Sequence, residues 1–94
     1  MKLSSMNYIV YILYSEKDNN LYVGCTSNIT ERLVRHSSGQ VPATVYRRPL
    51  KCIYVENYEL EAEAFNRERY LKTLWSALFK NKIKKEYLKN KLSE

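Results

Sequence analysis

From Tyr8 to Tyr14 the chain reads Tyr-Ile-Val-Tyr-Ile-Leu-Tyr, a run of β-branched, aliphatic and aromatic residues with no polar alternation. A strand with one wet face alternates, so this run predicts a strand covered on both faces. Lys17-Asp18-Asn19-Asn20 then reads as a polar turn, and Leu21-Tyr22-Val23-Gly24-Cys25 as a returning strand. The short connection predicts an antiparallel hairpin.

Next comes a helical pattern. Asn28 and Glu31 have capping-box spacing, which starts a helix at Ser27 or Asn28. Ile29 and Leu33 form its inward face. Ser37-Ser38-Gly39 ends it, because glycine tolerates the left-handed backbone of a helix terminus. Residues 40–49, bounded by Pro42 and Pro49, read as a loop, and Lys51–Val55 as a third strand. Helical periodicity resumes from Leu60 to Leu74, with Ala64, Phe65 and Leu71 on one side, and a basic helix covers residues 76–90. The order is β-β-α-β-α-α. It predicts an α/β (α+β) fold in which helices flank a three-stranded, largely antiparallel sheet, all in one domain spanning 1–94.

Composition adds a partner. The net charge is +6, which favours a polyanion, with nucleic acid ahead of an anionic membrane. Cys25 and Cys52 stand apart with no CxxC pair or Cys/His cluster, which argues against zinc. Neither a signal segment nor a membrane-length apolar run is visible. A cytoplasmic location with reduced cysteines is therefore expected.

A few polar residues sit where a simple fold does not need them. Glu68 falls between Ala64 and Leu71 on the apolar stripe of the later helix. A carboxylate there needs a partner, and Lys72 can supply one in a surface i,i+4 pair. Arg32 and His36 share a helix face one turn apart, which is either an exposed polar face or part of a site. Tyr11 and Tyr22 lie on strands, where tyrosines commonly pack in the core. Trp75 is either core or an exposed anchor.

Taken in chain order, these residues resemble the GIY-YIG nuclease superfamily. Ile9-Val10-Tyr11 stands in place of Gly-Ile-Tyr, and Tyr22-Val23-Gly24 in place of Tyr-Ile-Gly. The chain is most similar to the small single-domain bacterial members, which resemble the N-terminal domain of the excinuclease nuclease subunit. The similar stretches are Tyr22–Ser27, Thr44–Leu50 and Glu68–Thr73.

The resemblance implies a metal-dependent DNA endonuclease that hydrolyses phosphodiester bonds, in DNA repair or recombination. The alternative is a non-catalytic or weakly active DNA-binding module of the same fold. In the family pattern either Tyr11 or Tyr22 takes a proton from the attacking water; Tyr11 is the better candidate, with Tyr22 orienting water or phosphate. Arg32 contacts the scissile phosphate, and His36 relays a proton or holds phosphate. A phenol is a poor base at neutral pH unless cations depress its pKa, and Arg32 and a metal would supply that field. Glu68 would hold one Mg²⁺ or Mn²⁺, since Mg²⁺ takes few protein ligands and keeps several waters. Asn81 matches a late asparagine of several family nucleases.

Arg47 and Arg48 beside Tyr46, together with Lys72, would meet DNA phosphates. The resemblance also implies that Glu68 and the hydroxyls of Tyr11 and Tyr22 open onto one cleft, with Arg32 on its wall. The chain departs from the small members at Leu74–Leu78, where they carry a turn with glycine and arginine, and at Val45, where they carry lysine. Both departures bear on the DNA-binding surface.

Overall fold

The computed structural model describes residues 7–93. Residues 1–6 and 94 of the expected 1–94 domain lie outside that range. The elements are β1 (Tyr8–Ser15), β2 (Leu21–Thr26), α1 (Ile29–Ser37), β3 (Leu50–Tyr58), α2 (Glu61–Leu71) and α3 (Ala77–Leu92). Short 3-10 turns cover Val45–Arg47 and Leu74–Ser76. This is the α+β order that the sequence pattern predicts.

The unbroken apolar run is the central strand. β1 lies between β2 and β3 and is antiparallel to both. Every residue from Val10 to Ser15 is buried. On one face Val10 and Ile12 join Val23, Ala64 and Leu71 in a core closed by Tyr54, Phe79 and Ile83. That face lies under α2 and α3. Full burial of each such aliphatic chain contributes about 1.5–3 kcal/mol. Successive side chains alternate across a sheet. Tyr11 therefore points to the opposite face, where Gly24 is its partner across the β1–β2 ladder and Tyr22 is the partner of Leu13. His36 of α1 packs against this second face, with its ring near those of both Tyr11 and Tyr22.

Asn28 caps α1, its side-chain oxygen accepting the Glu31 N–H at 3.0 Å. The largest boundary differences from the sequence pattern are at the ends of β3 and α2. β3 runs on through Glu56 to Tyr58, because the Glu56 carboxylate is fully partnered inside the fold. Tyr54, Tyr58 and Arg67 all donate to it, the arginine through Nε and a terminal nitrogen at 2.9 and 3.0 Å. α2 stops at Leu71 rather than Leu74. The Thr73 hydroxyl takes the Tyr70 carbonyl and the Ser76 hydroxyl takes that of Leu71, so the last carbonyls are satisfied and the chain turns. Phe65, expected inward with Ala64 and Leu71, is 48% exposed. One residue beyond Ala64, it has rotated about 100° off the stripe.

Candidate active site

The site is built on the second face of β1. Tyr11 is fully enclosed. Its hydroxyl lies 2.8 Å from Nε2 of His36, and Nδ1 of the same ring lies 2.8 Å from Oγ1 of buried Thr44. The result is a buried chain, Tyr11–His36–Thr44, linking a strand, a helix and the loop after the helix. Tyr22 closes the side of it, its ring centroid 5.4 Å from that of His36.

Gly24 makes this packing possible. A Cβ at position 24 would overlap Cζ and Oη of Tyr11, so the tyrosine ring lies across the glycine backbone. The Tyr22-Val23-Gly24 tripeptide thus places a ring and a gap one residue pair apart on the same strand face.

Burial pushes the Tyr11 phenol up to about 12. Tyr22 and Glu68 add to the rise, and Arg32 opposes it. Arg32 lowers this pKa, as expected of a nearby cation, but desolvation outweighs it. Burial, assisted by Arg32, holds the His36 pKa below its ordinary value of 6.5. At neutral pH the pair is a neutral phenol beside a neutral imidazole.

Arg32 and Glu68 both act electrostatically on Tyr11, Arg32 from α1 on the tyrosine's own face of the sheet and Glu68 from α2, which packs on the opposite face. Both act on Cys25 of β2, whose thiol is raised chiefly by burial and further by Glu68 and Glu61, while Arg32 and Lys72 oppose. Arg32, half-buried on α1, has no carboxylate partner among the described residues. Its guanidinium fork suits two oxygens of a phosphate. Glu68 lies at the edge of the buried stripe, its side chain 19% exposed, and its Oε2 meets Lys72 Nζ at 3.0 Å. The i,i+4 pair is therefore formed. The described residues contain no cluster of three metal-binding side chains. A lone carboxylate fits a hard divalent ion that keeps most of its waters, and the lysine ammonium stands where a cation is favoured.

The other candidates are placed differently. Arg47 donates Nε to Asp18 at 2.7 Å and a terminal nitrogen to the Leu21 carbonyl, pinning the loop to the hairpin turn. Arg48 packs over Gly39, which has φ +84°, and donates to the carbonyls of Val45 and Ser37. Asn81 is exposed on α3 and makes no hydrogen bond through its side chain among the described residues. The full enclosure of Tyr11 also corrects the expectation that its hydroxyl opens onto a cleft. Thr44 was not foreseen. Only its place in the similar stretch Thr44–Leu50 marked it, and a threonine in a loop carries no local sign of a histidine partner.

The family model for the GIY-YIG catalytic domain matches residues 7–92. The chain belongs to the GIY-YIG family. Cutting of DNA is the general activity of this family, and its nucleases generally depend on a divalent metal. A UPF0213 protein of Clostridium perfringens is 44% identical over 70 residues, covering 73% of each chain. Another, from Pediococcus acidilactici, is 34% identical over 93 residues, covering 93% of this chain and 86% of its own. A solution NMR structure of a UPF0213 protein from Bacillus halodurans is 31% identical, covers 71% of each chain and has a TM-score of 0.46. Among the described residues, no helix of this GIY-YIG chain is long and apolar enough to cross a membrane.

Proposed function

We propose that this GIY-YIG domain is a metal-dependent endonuclease that hydrolyses DNA phosphodiester bonds. The observation that carries the reading is the Tyr11–His36 hydrogen bond, with Arg32, which has no carboxylate partner among the described residues, beside it. Arg32 binds the scissile phosphate through its fork and stabilises charge that grows in the transition state. Water attacks phosphorus. As it does so, the Tyr11 oxygen takes the water proton while the Tyr11 proton passes to Nε2 of His36. This relay needs a neutral imidazole and no standing phenolate, which agrees with the directions of both pKa shifts. Tyr22 orients the water or the phosphate. Glu68 would hold one Mg²⁺ or Mn²⁺, which would offset phosphate charge and stabilise the leaving oxygen. Arg48, Arg47, Lys72 and Asn81 are proposed to border the DNA path. The proposed setting is DNA repair or recombination in the cytoplasm, with the whole chain acting as one domain.

A second reading is a binding module with weak or no cutting. The enclosure of Tyr11 and the Lys72 ammonium on Glu68 favour it, since both must yield before reaction. A nicking assay decides between the two. Supercoiled, flap, junction and single-stranded DNA would be incubated with Mg²⁺ or Mn²⁺, with Glu68→Ala as control. Cutting by wild type and its loss in the variant support the nuclease. Binding with no cutting on every substrate supports the module.

A further inference from the structure

The most unusual surface of the molecule lies at the turn after α2. Leu74, Trp75 and Leu78 are 92%, 86% and 86% exposed. Three large apolar side chains this close in sequence and this exposed are expected at an interaction surface.

The turn that presents them is firmly built. The Ser76 hydroxyl is buried and donates to the carbonyls of Leu71 and Thr73. The Thr73 hydroxyl donates to the Tyr70 carbonyl at 2.6 Å, and the Tyr70 hydroxyl reaches the Trp75 carbonyl at 3.3 Å. Tyr70 is itself steadied by the Arg67 guanidinium 5.6 Å from its ring, and Arg67 is held by Glu56. The apolar side chains therefore project from a backbone fixed to the core, not from a frayed end.

The surroundings are cationic. Arg69 and Lys72 precede the turn, and both are exposed. A shallow groove along α3 begins at Leu78 and continues past Lys82, Lys84, Lys85 and Lys89, with Glu86 the acidic residue of its lining. A second copy of the same basic surface would be repelled. A polyanion with exposed apolar planes is matched on both counts, and a nucleic-acid strand with unstacked bases has that chemistry. Lys72, three residues before Trp75 in the chain, pairs with Glu68 of the proposed metal-binding edge.

We propose that Trp75, flanked by Leu74 and Leu78, is a stacking platform for unpaired DNA bases, with the lysines of α3 tracking the adjoining phosphates. The proposal rests on the nuclease reading for its place beside the cut site, but its test does not require cutting.

Trp75 is the sole tryptophan, so its fluorescence reports this surface alone. The full chain would be titrated with a short oligothymidylate, with a perfectly paired duplex, and with heparin, a polyanion that has no bases. The expected result is quenching by oligothymidylate but not by heparin, although both bind. Trp75→Ala should weaken oligothymidylate binding roughly tenfold, the loss of about one stacked base, and leave heparin binding unchanged. Trp75→Phe should restore most of the difference. Because the residue is exposed, neither variant should lose the fold, and circular dichroism checks this. Equal quenching by heparin, or oligothymidylate binding unaffected in Trp75→Ala, would overturn the proposal. So would concentration-dependent self-association that buries Trp75 without DNA. A chain that quenches but never cuts keeps the platform and loses the nuclease; one that cuts without quenching does the reverse.

Discussion

The Tyr11 hydroxyl lies 2.8 Å from Nε2 of His36, on a face of the central strand that neither residue leaves for solvent. The relationship decides how the tyrosine would act. With its pKa raised to about 12, Tyr11 holds its proton throughout the neutral range. It can accept a proton from water only by giving its own away. The cutting rate should therefore climb with pH through the lowered pKa of His36, below 6.5, and then level off. Tyr11→Phe should lower the plateau about a hundredfold or more with little change in DNA affinity. A pH–rate profile that still rises tenfold per unit through the mildly alkaline range would instead require a phenolate base, and the relay would be wrong.

The same histidine links pH to stability. Its folded pKa lies below its unfolded value, so in acid the unfolded chain binds the extra proton. Stability then rises with pH in that window. It is lost as pH falls from about 6.5 toward the folded pKa of His36. Urea unfolding of wild type and His36→Asn at neutral and mildly acid pH checks this. The gap between the two proteins should narrow in acid, whereas a constant gap would show that His36 is not the group responsible.

Gly24→Ala tests the packing beneath the site. The added methyl would meet the end of the Tyr11 ring, whose own escape is blocked by His36. Relief requires a shift of the ring or of β2, costing about 1–3 kcal/mol as in other overpacked interiors. Cutting should fall more than DNA affinity, because the tyrosine oxygen moves. Unfolding and cutting measured on one preparation suffice. A variant as stable and active as wild type would show that the close approach is dispensable.

How much of this was legible in the chain depends on the range of each interaction. β1 was readable because burial on both faces leaves an unbroken apolar run. Asn28 was readable because a cap acts over three residues. Glu68 stood out because Ala64 and Leu71 fix the helix phase around it. The extension of β3 was hidden because Glu56 looks like a strand breaker until Arg67, from another element, neutralises it. Thr44 was hidden for the same reason, since its partner lies eight residues away across a helix end. Arg47 and Arg48 looked like free cations beside Tyr46. Only the folded chain brings Asp18 and the Ser37 carbonyl to them.

Those two arginines now carry different expectations. Roughly five neutralised phosphates would give a log-log salt slope for duplex binding of about −4 to −5. Arg48→Ala should make the slope shallower by about one unit if its outer nitrogen meets a phosphate. Arg47→Ala should act mainly on stability, because it removes the tie between the loop and the Asp18 turn. Binding isotherms at several salt concentrations, paired with thermal unfolding, separate the two effects. Identical salt slopes in wild type and Arg48→Ala would remove Arg48 from the DNA path.

The Glu68–Lys72 pair yields the last prediction, since it holds two candidate roles in one contact. A divalent ion binding Glu68 must displace the ammonium or share the carboxylate with it. Because Lys72 is 51% exposed, solvent screens the pair and its loss should cost little stability. Lys72→Ala should therefore let Mn²⁺ bind several-fold more tightly in the absence of DNA, as read by calorimetry. If Lys72 also meets a phosphate, the same variant should bind DNA more weakly, most visibly at low salt. Glu68→Gln keeps volume and removes charge, so it should abolish the metal heat while leaving DNA affinity nearly intact. Should Mn²⁺ bind wild type, Lys72→Ala and Glu68→Gln alike, the metal does not sit on Glu68, and the carboxylate is only the partner of its lysine.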